Sequence, residues 1–166
     1  GHRVYAAFTH LVDTEYVLYL DQDCSLESHH VQSCIQTIQE NNLDWSYSLR
    51  QICDRDGKFI CYDDCESLGK WKVFSGDYNH IDTNCYCIKT SVATKLAQVW
   101  HGGWGQDRIW LSALSQYFPK YECTGEYTVY YRLAGNEGSV KKEFFDYGNK
   151  IMNDRYNGDF PWRRKT

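Results

Sequence analysis

The sequence has little proline, a single methionine and no long apolar run. Its 166 residues include two prolines and 24% charged residues, a composition that disfavours disorder and extended linkers. No apolar stretch approaches the roughly 20 residues of a membrane-spanning helix, and no signal-peptide pattern is apparent. We therefore expect a folded chain with no transmembrane segment.

The sequence also lacks an excess of positive charge. Lys and Arg number 18 against 22 Asp and Glu, which gives a formal net charge of −4. Binding to nucleic acid needs clustered positive charge against the phosphates. Basic residues cluster here only at Lys141-Lys142 and Arg163-Arg164-Lys165, so we expect no nucleic-acid partner.

The eight cysteines have two interpretations. Their apolar surroundings in the sequence, and a composition able to build a core without cross-links, predict buried thiols in a reducing compartment, hence a cytoplasmic protein. The alternative is a structural zinc site, although the spacings C-x3-C and C-x-C differ from the usual C-x2-C pair. The four cysteines of that alternative are Cys61, Cys65, Cys85 and Cys87.

Length and element order indicate one α/β domain over residues 1–166. A chain of this size buries about 70% of its unfolded surface when it folds. It begins at Gly1 rather than at Met, so we expect a piece of a longer protein or a trimmed chain. The predicted order α-β-α-ββ-β-α-α-β-α indicates an α/β sandwich with a mixed sheet.

The individual elements follow from periodicity and turn signals. Val4, Ala7, Phe8 and Leu11 share one face of a predicted helix, and Ser25 is the predicted N-cap of another helix, which Asn41-Asn42 closes. The apolar run 15–20 predicts a strand that is buried on both faces of a parallel sheet. The predicted helices span residues 2–12, 26–40, 91–100, 106–117 and 139–155, and the predicted strands lie within 15–20, 45–63 (a hairpin around 54–57), 80–88 and 127–133.

Two aspartates follow the first predicted strand directly. Ligands of open α/β sheets bind beyond the carboxyl ends of strands, and side chains at i and i+2 of a strand point the same way. Asp21 and Asp23 can therefore converge on one Mg²⁺ or Mn²⁺ ion, which keeps one or two protein carboxylates together with substrate phosphates. The alternative is that both are loop residues, one of them capping the next helix.

Four segments in this order resemble the family 2 glycosyltransferases of the GT-A fold. The first is the helix and strand that lead into Asp21-Gln22-Asp23, and segment 81–88 resembles the central strand on the acceptor side. Gly105-Gln106-Asp107-Arg108 resembles the G-x-E-D segment that opens a helix. Segment 130–139 resembles the Y-R-x-H-x-x-S segment after the last strand. The resemblance implies a Rossmann-like GT-A nucleotide-diphospho-sugar transferase, whose first βα units would precede Gly1.

The resemblance also implies roles for individual residues. Asp21 faces the donor ribose and Asp23 holds the divalent metal, either Mn²⁺ or Mg²⁺, in an inverting transfer. Asp107 is the catalytic base, with a plain first-turn helix aspartate as the alternative. Arg132 contacts the diphosphate, or else pairs with a surface acid. The acceptor-side residues are Asp82 and Asn84, which otherwise act as structural caps, and Trp104, which otherwise belongs to the core or to a lid.

The sequence departs from that family at two motif positions. Gln106 stands in place of the Glu of the E-D pair, and Ala134 stands where a metal-binding His is common. The leading hypothesis is therefore the C-terminal part of a metal-dependent transferase that moves a sugar from a nucleotide-diphosphate sugar to a carbohydrate or other hydroxyl acceptor. A non-catalytic relative or remnant that binds a nucleotide, sugar or protein is the alternative. An exposed sheet edge would favour pairing with the absent front half or with another chain.

Overall fold

The structure is a computed structural model that describes residues 2–103, 105–133 and 140–164. These residues form a mixed sheet of six strands with the order β1-β5-β3-β6-β2, and β4 pairs with β3 beside this path. The strands are Tyr16–Leu18 (β1), Ser25–Leu26 (β2), Trp45–Cys53 (β3), Phe59–Tyr62 (β4), Tyr86–Lys89 (β5) and Tyr121–Arg132 (β6). The helices are His2–Thr9 (α1), His30–Glu40 (α2), Thr90–Leu96 (α3), Gln106–Tyr117 (α4) and Lys142–Tyr156 (α5), with 3₁₀ turns at Thr83–Cys85 and Ala97–His101.

The centre of the sheet is the parallel pair β3 and β6. Every residue of β3 is buried, and its register with β6 runs from Trp45 opposite Tyr121 to Cys53 opposite Arg132. The rings of Trp45 and Tyr121 stack with their centroids 4.0 Å apart. The antiparallel neighbours β4 and β5 complete the predicted mixed sheet.

Apolar side chains fill three clusters around this sheet. The largest is aromatic and includes Trp45, Tyr86, Trp100 and Trp110. A second lies under α5 around Phe145 and Trp162, and a third lies under α2 around Cys34 and Ile38. Burial of this apolar surface is the main favourable contribution to folding.

The first predicted strand is shorter and differently paired than expected. β1 is a three-residue strand at the end of the sheet, and it pairs antiparallel with β5 rather than within a parallel sheet. β1 ends at Leu18, so the chain leaves the sheet before the two aspartates, and the backbone N–H of Asp21 donates to Asn84 Oδ1 at 2.6 Å. Tyr19 packs instead into the aromatic cluster, against Trp100 and Trp110.

The boundaries of other elements also differ from their predicted positions. Ser25 is not a helix N-cap: it lies in β2, and α2 begins at His30. The first helix ends at Thr9, and its predicted apolar side is solvent-facing, since Val4 and Phe8 are exposed. The last strand begins six residues early, at Tyr121, because pairing with β3 stabilises a segment whose own pattern is irregular.

The hairpin and the fourth helix match their predictions. Asp54 Oδ1 accepts from the backbone N–H groups of Asp56 and Lys58 at 2.9 and 2.8 Å, and Gly57 has φ +86°, which favours glycine at this turn position. The fourth helix occupies the predicted span, Gln106–Tyr117.

The cysteines are free thiols, as expected. The four residues of the zinc alternative do not assemble, since among residues 2–103, 105–133 and 140–164 no three His, Cys, Asp or Glu side chains cluster as metal ligands. Cys65 Sγ instead lies 3.4 Å from Asp63 Oδ1, and Cys85 Sγ lies 3.9 Å from Ser67 Oγ. None of the helices in the described part of the chain is both long and apolar enough to cross a membrane.

Candidate active site

A cavity of about 330 Å³ brings together side chains from distant parts of the chain. It lies where β3, β6, the loop before β5 and the start of α4 meet. Two of the sequence-predicted residues, Asp82 and Asp107, line it. The other lining residues are His2, Arg50, Glu66, His80, Gly105, Arg108, Tyr131 and Val140.

Asp107 lies in the first turn of α4, immediately after Gly105, whose φ is +79°. Its Oδ1 accepts from the Arg108 N–H at 2.9 Å. Its Oδ2 lies 3.6 Å from Nδ1 of the buried His80, which is ion-pair distance but too long for a hydrogen bond. The helix N-terminus favours a negative charge at this position, and the carboxylate lines the cavity.

The wall beside Asp82 is a buried ion cluster around Arg50. This guanidinium is 2% exposed and pairs with Asp63 at 2.7 Å, with Asp82 at 2.6 Å and with Glu66. It also lies 4.3 Å from the centroid of the Tyr131 ring. Burial favours the neutral form of Arg50, but the three carboxylates outweigh burial and raise its pKa well above the usual value. Arg50 is therefore a fixed cation that positions Asp82.

Burial and the neighbouring groups also shift the pKa of Asp63 in opposite directions. Burial alone would raise the pKa of this carboxyl, but Arg50 and the backbone N–H groups of Ser67 and Cys65 lower it below the usual value. Asp63 therefore stays ionised and holds one side of the Arg50 guanidinium.

Asn84 connects Asp82 to the first of the two aspartates. Its Nδ2 donates to Asp82 Oδ1 at 2.8 Å and to Asp21 Oδ2 at 3.1 Å. The second oxygen of Asp21 accepts from the hydroxyl of Tyr5. Burial and this hydrogen bond raise the pKa of Tyr5, so the phenol remains a donor. The structure thus joins Asp21, Asn84 and Asp82 in one hydrogen-bonded row that reaches the cavity.

Asp23 lies outside this row. Its carboxylate is exposed, and its one described contact is the Cys24 thiol at 3.8 Å. Burial and nearby Asp82 raise the pKa of Cys24 to about 12, so that thiol stays protonated and does not compete as a thiolate ligand. Among the described residues no three potential metal ligands cluster, so this segment would bring at most one or two carboxylates, which is the number that Mg²⁺ or Mn²⁺ keeps in addition to substrate phosphates.

Arg132 lies away from this cavity, and the other predicted residues are outside the described part of the chain. Arg132 is exposed and lines a separate cavity of about 310 Å³ with Ser25, Cys53, Gly57 and Tyr130. Trp104 lies outside the described residues, as does segment 134–139 of the predicted Y-R-x-H-x-x-S resemblance.

Sequence reasoning assigned no site role to eight residues of the cavity wall, and four of these are Arg50, Glu66, His80 and Tyr131. One of them carries a signal: Arg50 is a charge inside the otherwise apolar and hydroxyl-rich strand 45–53, and a buried cation needs buried acids. His80 begins the predicted strand 80–88 but has no spacing pattern of its own. Glu66 and Tyr131 acquire their roles only through the tertiary contacts of Arg50.

Comparison with known proteins gives a short sequence match and a broad fold match. No family model matches the chain. An uncharacterized protein of Haemophilus influenzae is 40% identical over 65 residues, which are 39% of this chain and 44% of that protein.

Solved structures of S. aureus TarS, a glycosyltransferase, cover 93% of this chain. Residues 1–349 of TarS in complex with UDP match at TM-score 0.55 and 12% identity, and the complex with UDP-GlcNAc matches at 0.56 and 12%. A further TarS 1–349 structure matches at 0.53 and 10%. This chain spans 44%, 46% and 50% of those chains, respectively. The likeness is one of fold: the chain has a mixed α/β structure of the glycosyltransferase-like Rossmann type.

Proposed function

We propose that this chain is the C-terminal part of a GT-A catalytic domain that transfers a sugar, with inversion, from a nucleotide-diphosphate sugar to an acceptor hydroxyl. The observation that carries this proposal is the row Asp21–Asn84–Asp82, which ends at the cavity that holds Asp107. The fold match to TarS, which was solved with UDP and with UDP-GlcNAc, supports the choice of donor class.

In the proposed reaction, Asp107 removes the proton of the acceptor hydroxyl as that oxygen attacks the anomeric carbon. The bond from that carbon to the diphosphate oxygen breaks, and the nucleoside diphosphate leaves with the bonding electrons. General-base catalysis of this kind typically contributes a factor of about 10²–10⁴. His80, buried beside Asp107 Oδ2, faces the carboxylate as it takes up the proton.

The donor lies on the Asp21 side in this proposal. Asn84 and Tyr5 hold both oxygens of Asp21, which fixes the carboxylate that would face the ribose. Asp23, with Asp21 beside it in the chain, would hold Mg²⁺ or Mn²⁺, and the bound ion would offset charge on the leaving diphosphate. The roles of Arg132 at the diphosphate and of Trp104 at the acceptor remain predictions from the resemblance.

A non-catalytic sugar- or nucleotide-binding role is the second candidate. The observation that favours it is Gln106, which replaces one acid of the E-D pair and is buried, with its side-chain amide donating to the carbonyl of Val99. Gln106 therefore anchors the start of α4 and brings no second carboxylate to the cavity. Turnover by the purified protein would exclude this candidate.

We also propose that further polypeptide covers the end of the sheet. β1 pairs on one side only among the described strands, and Val4, Phe8 and Leu11 are 53%, 62% and 73% exposed. An unpaired strand edge and exposed apolar side chains each favour added structure. The free thiols support a reducing compartment such as the cytoplasm.

The deciding experiment measures donor binding and transfer in matched variants. A nucleotide sugar with Mn²⁺ at 100 times its Kd should stabilise the protein by about 2.7 kcal/mol, which raises Tm by several degrees. Asp23→Asn should lose this shift, while Asp13→Asn, which removes the same charge at an exposed position, should keep it. A metal-independent shift, or the same shift in Asp23→Asn, would contradict the metal assignment.

Asp107→Asn separates chemistry from binding. We expect this variant to keep the donor-induced shift in Tm and to lose about 10²–10⁴ in the rate of nucleoside diphosphate release with a panel of hydroxyl acceptors. Donor binding by the wild-type protein with no release under any acceptor would instead favour the non-catalytic candidate.

A further inference from the structure

A second cavity, of about 620 Å³, adjoins the candidate active site. Arg108 lines both cavities, so its side chain forms part of the wall between them. The second cavity is bounded by one face of α4, by the loop around Lys70 and Tyr78, and by Tyr121 at the start of β6. Its volume falls within the range of small-molecule sites, about 300–1,000 Å³.

The described lining of this cavity is positive, although the chain is negative overall. It includes Lys70 and Arg108 and no carboxylate, whereas the whole sequence has a net charge of −4. Lys70 Nζ pairs with Glu122 at 2.7 Å, outside the lining. Within the described residues no carboxylate side chain lies at ion-pair distance from Arg108, so its charge is available to a ligand.

Aromatic rings hold both cations in place. The Arg108 guanidinium lies 4.2 Å from the centroid of the Tyr78 ring and donates to the Tyr78 hydroxyl at 3.3 Å. Lys70 Nζ lies 5.1 Å from the Tyr121 centroid, and Trp45 stacks on the same ring. Cations fixed over ring faces lose less side-chain freedom when they bind an anion.

The cavity extends away from Asp107 along α4. Arg108, Ser112 and Ser115 share its lining, and seven residues of helix span about 10 Å. A molecule that presents a hydroxyl to Asp107 therefore has room to continue past Arg108, with serine hydroxyls along its path.

We propose that this cavity binds an anionic group, a phosphate or a carboxylate, carried by the acceptor at a position away from the reacting hydroxyl. That the anionic group belongs to the acceptor rests on the proposed function. That the cavity binds a charged sugar does not depend on the proposed function. Arg108 presents a planar fork of donors that matches either oxyanion, and Lys70 adds a point charge.

The test compares a hexose, its 6-phosphate and the corresponding uronic acid as probes, with binding to the purified protein measured by NMR titration. We expect one or both charged sugars to bind and the neutral hexose to bind at least about tenfold more weakly, because a hydrogen bond to a charged group is worth more than a neutral one. The two charged probes distinguish phosphate from carboxylate. Equal binding of all three sugars would overturn the proposal.

Four variants assign the binding to this cavity. Lys70→Gln and Arg108→Gln should each weaken charged-sugar binding about tenfold or more. Arg55→Gln removes one charge from an exposed turn and should leave it unchanged. Glu122→Gln, which frees Lys70 from its partner, should bind at least as tightly as wild type. Equal losses in Lys70→Gln and Arg55→Gln would overturn the proposal.

Nucleotide-sugar binding separates this inference from the proposed function. Lys70 does not line the first cavity, so Lys70→Gln should keep the donor-induced shift in Tm while losing charged-sugar binding. A donor shift in wild type with no charged-sugar binding would overturn the inference and leave the proposed function intact. Charged-sugar binding that depends on Lys70, with no donor shift, would support the anion site and count against the transferase.

Discussion

Replacing Arg50 by Met should cost about 3–5 kcal/mol of stability, the range for removing one partner of a buried ion pair. Arg50 is 2% exposed, and the side chain of Asp63 is fully buried. Glu66 and Asp82 are 17% and 12% exposed, so both can regain some water. Asp63 cannot, although backbone N–H groups from residues 65–67 still bond to it. One uncompensated carboxylate, rather than three, therefore dominates the loss.

Urea unfolding followed by tryptophan fluorescence measures this loss. With a slope of about 1–3 kcal/mol per molar, the midpoint should fall by roughly 1–5 M. The double variant Arg50→Met with Asp63→Asn should recover part of the stability, because it removes the stranded charge with the cation. A loss under about 1 kcal/mol for Arg50→Met, or a double variant as unstable as the two single losses combined, would refute the reasoning.

The pH dependence of the same variants tests whether the ionised Asp63 carboxylate causes the loss of stability. In the wild type the pKa of Asp63 is lowered, so its contribution is present above the unfolded-state pKa of about 3.9 and is lost as pH falls through the lowered value. In Arg50→Met the buried carboxyl has no cation, and its pKa rises. The destabilisation should therefore shrink between pH 7 and pH 4 as Asp63 protonates. A destabilisation that is constant over this range would contradict the assignment to Asp63.

Three further predictions concern other buried contacts. Burial lowers the pKa of His30 to about 4 from 6.5, so the stability that it contributes is full above pH 6.5 and falls by up to about 3 kcal/mol toward pH 4. His30→Gln should flatten that slope in urea titrations. Gly69→Ala, at φ +62° and with a Cβ 2.2 Å from the Tyr47 ring, should lower stability by about 1–3 kcal/mol or more; an unchanged Tm would contradict this. Asn84→Leu should lower stability by about 1–3 kcal/mol and abolish the donor-induced Tm shift. A variant that keeps this shift would exclude a role for the Asn84–Asp21 hydrogen bond in donor binding.

Local signals account for the parts of the fold that the sequence predicts correctly. The turn at Asp54–Gly57 depends on contacts within five residues, and α4 depends on its own periodicity and on Pro119 beyond its end. The extent of β1 is not predicted in this way, because an apolar run does not reveal whether its residues pair in a sheet or leave the sheet and pack their side chains into the core. Tyr19 lies outside the strand and packs against Trp100 and Trp110, which are far away in the sequence.

The candidate site divides in the same way. Asp21 is predicted from its position directly after a strand, where ligands of open α/β sheets bind, whereas Asp82, Asn84 and Asp107 are implied by the resemblance to family 2 glycosyltransferases. Arg50 was not predicted, since its partners lie 13, 16 and 32 residues away and meet only in the folded chain. A charged residue within a strand pattern indicates a buried ion pair, but the sequence does not show which acids pair with it, because they meet only through tertiary contacts.

The parallel pairing of β3 with β6 also has a consequence for biosynthesis. Trp45 and Tyr121 are opposite each other in the sheet but 76 residues apart in the chain, which takes roughly 4–15 s to translate at about 5–20 residues per second. During that interval the buried strand β3 has emerged from the ribosome without its central partner. A ribosome-bound chain that ends before Tyr121 should therefore recruit chaperones and be sensitive to protease, and both properties should disappear once β6 is outside the exit tunnel.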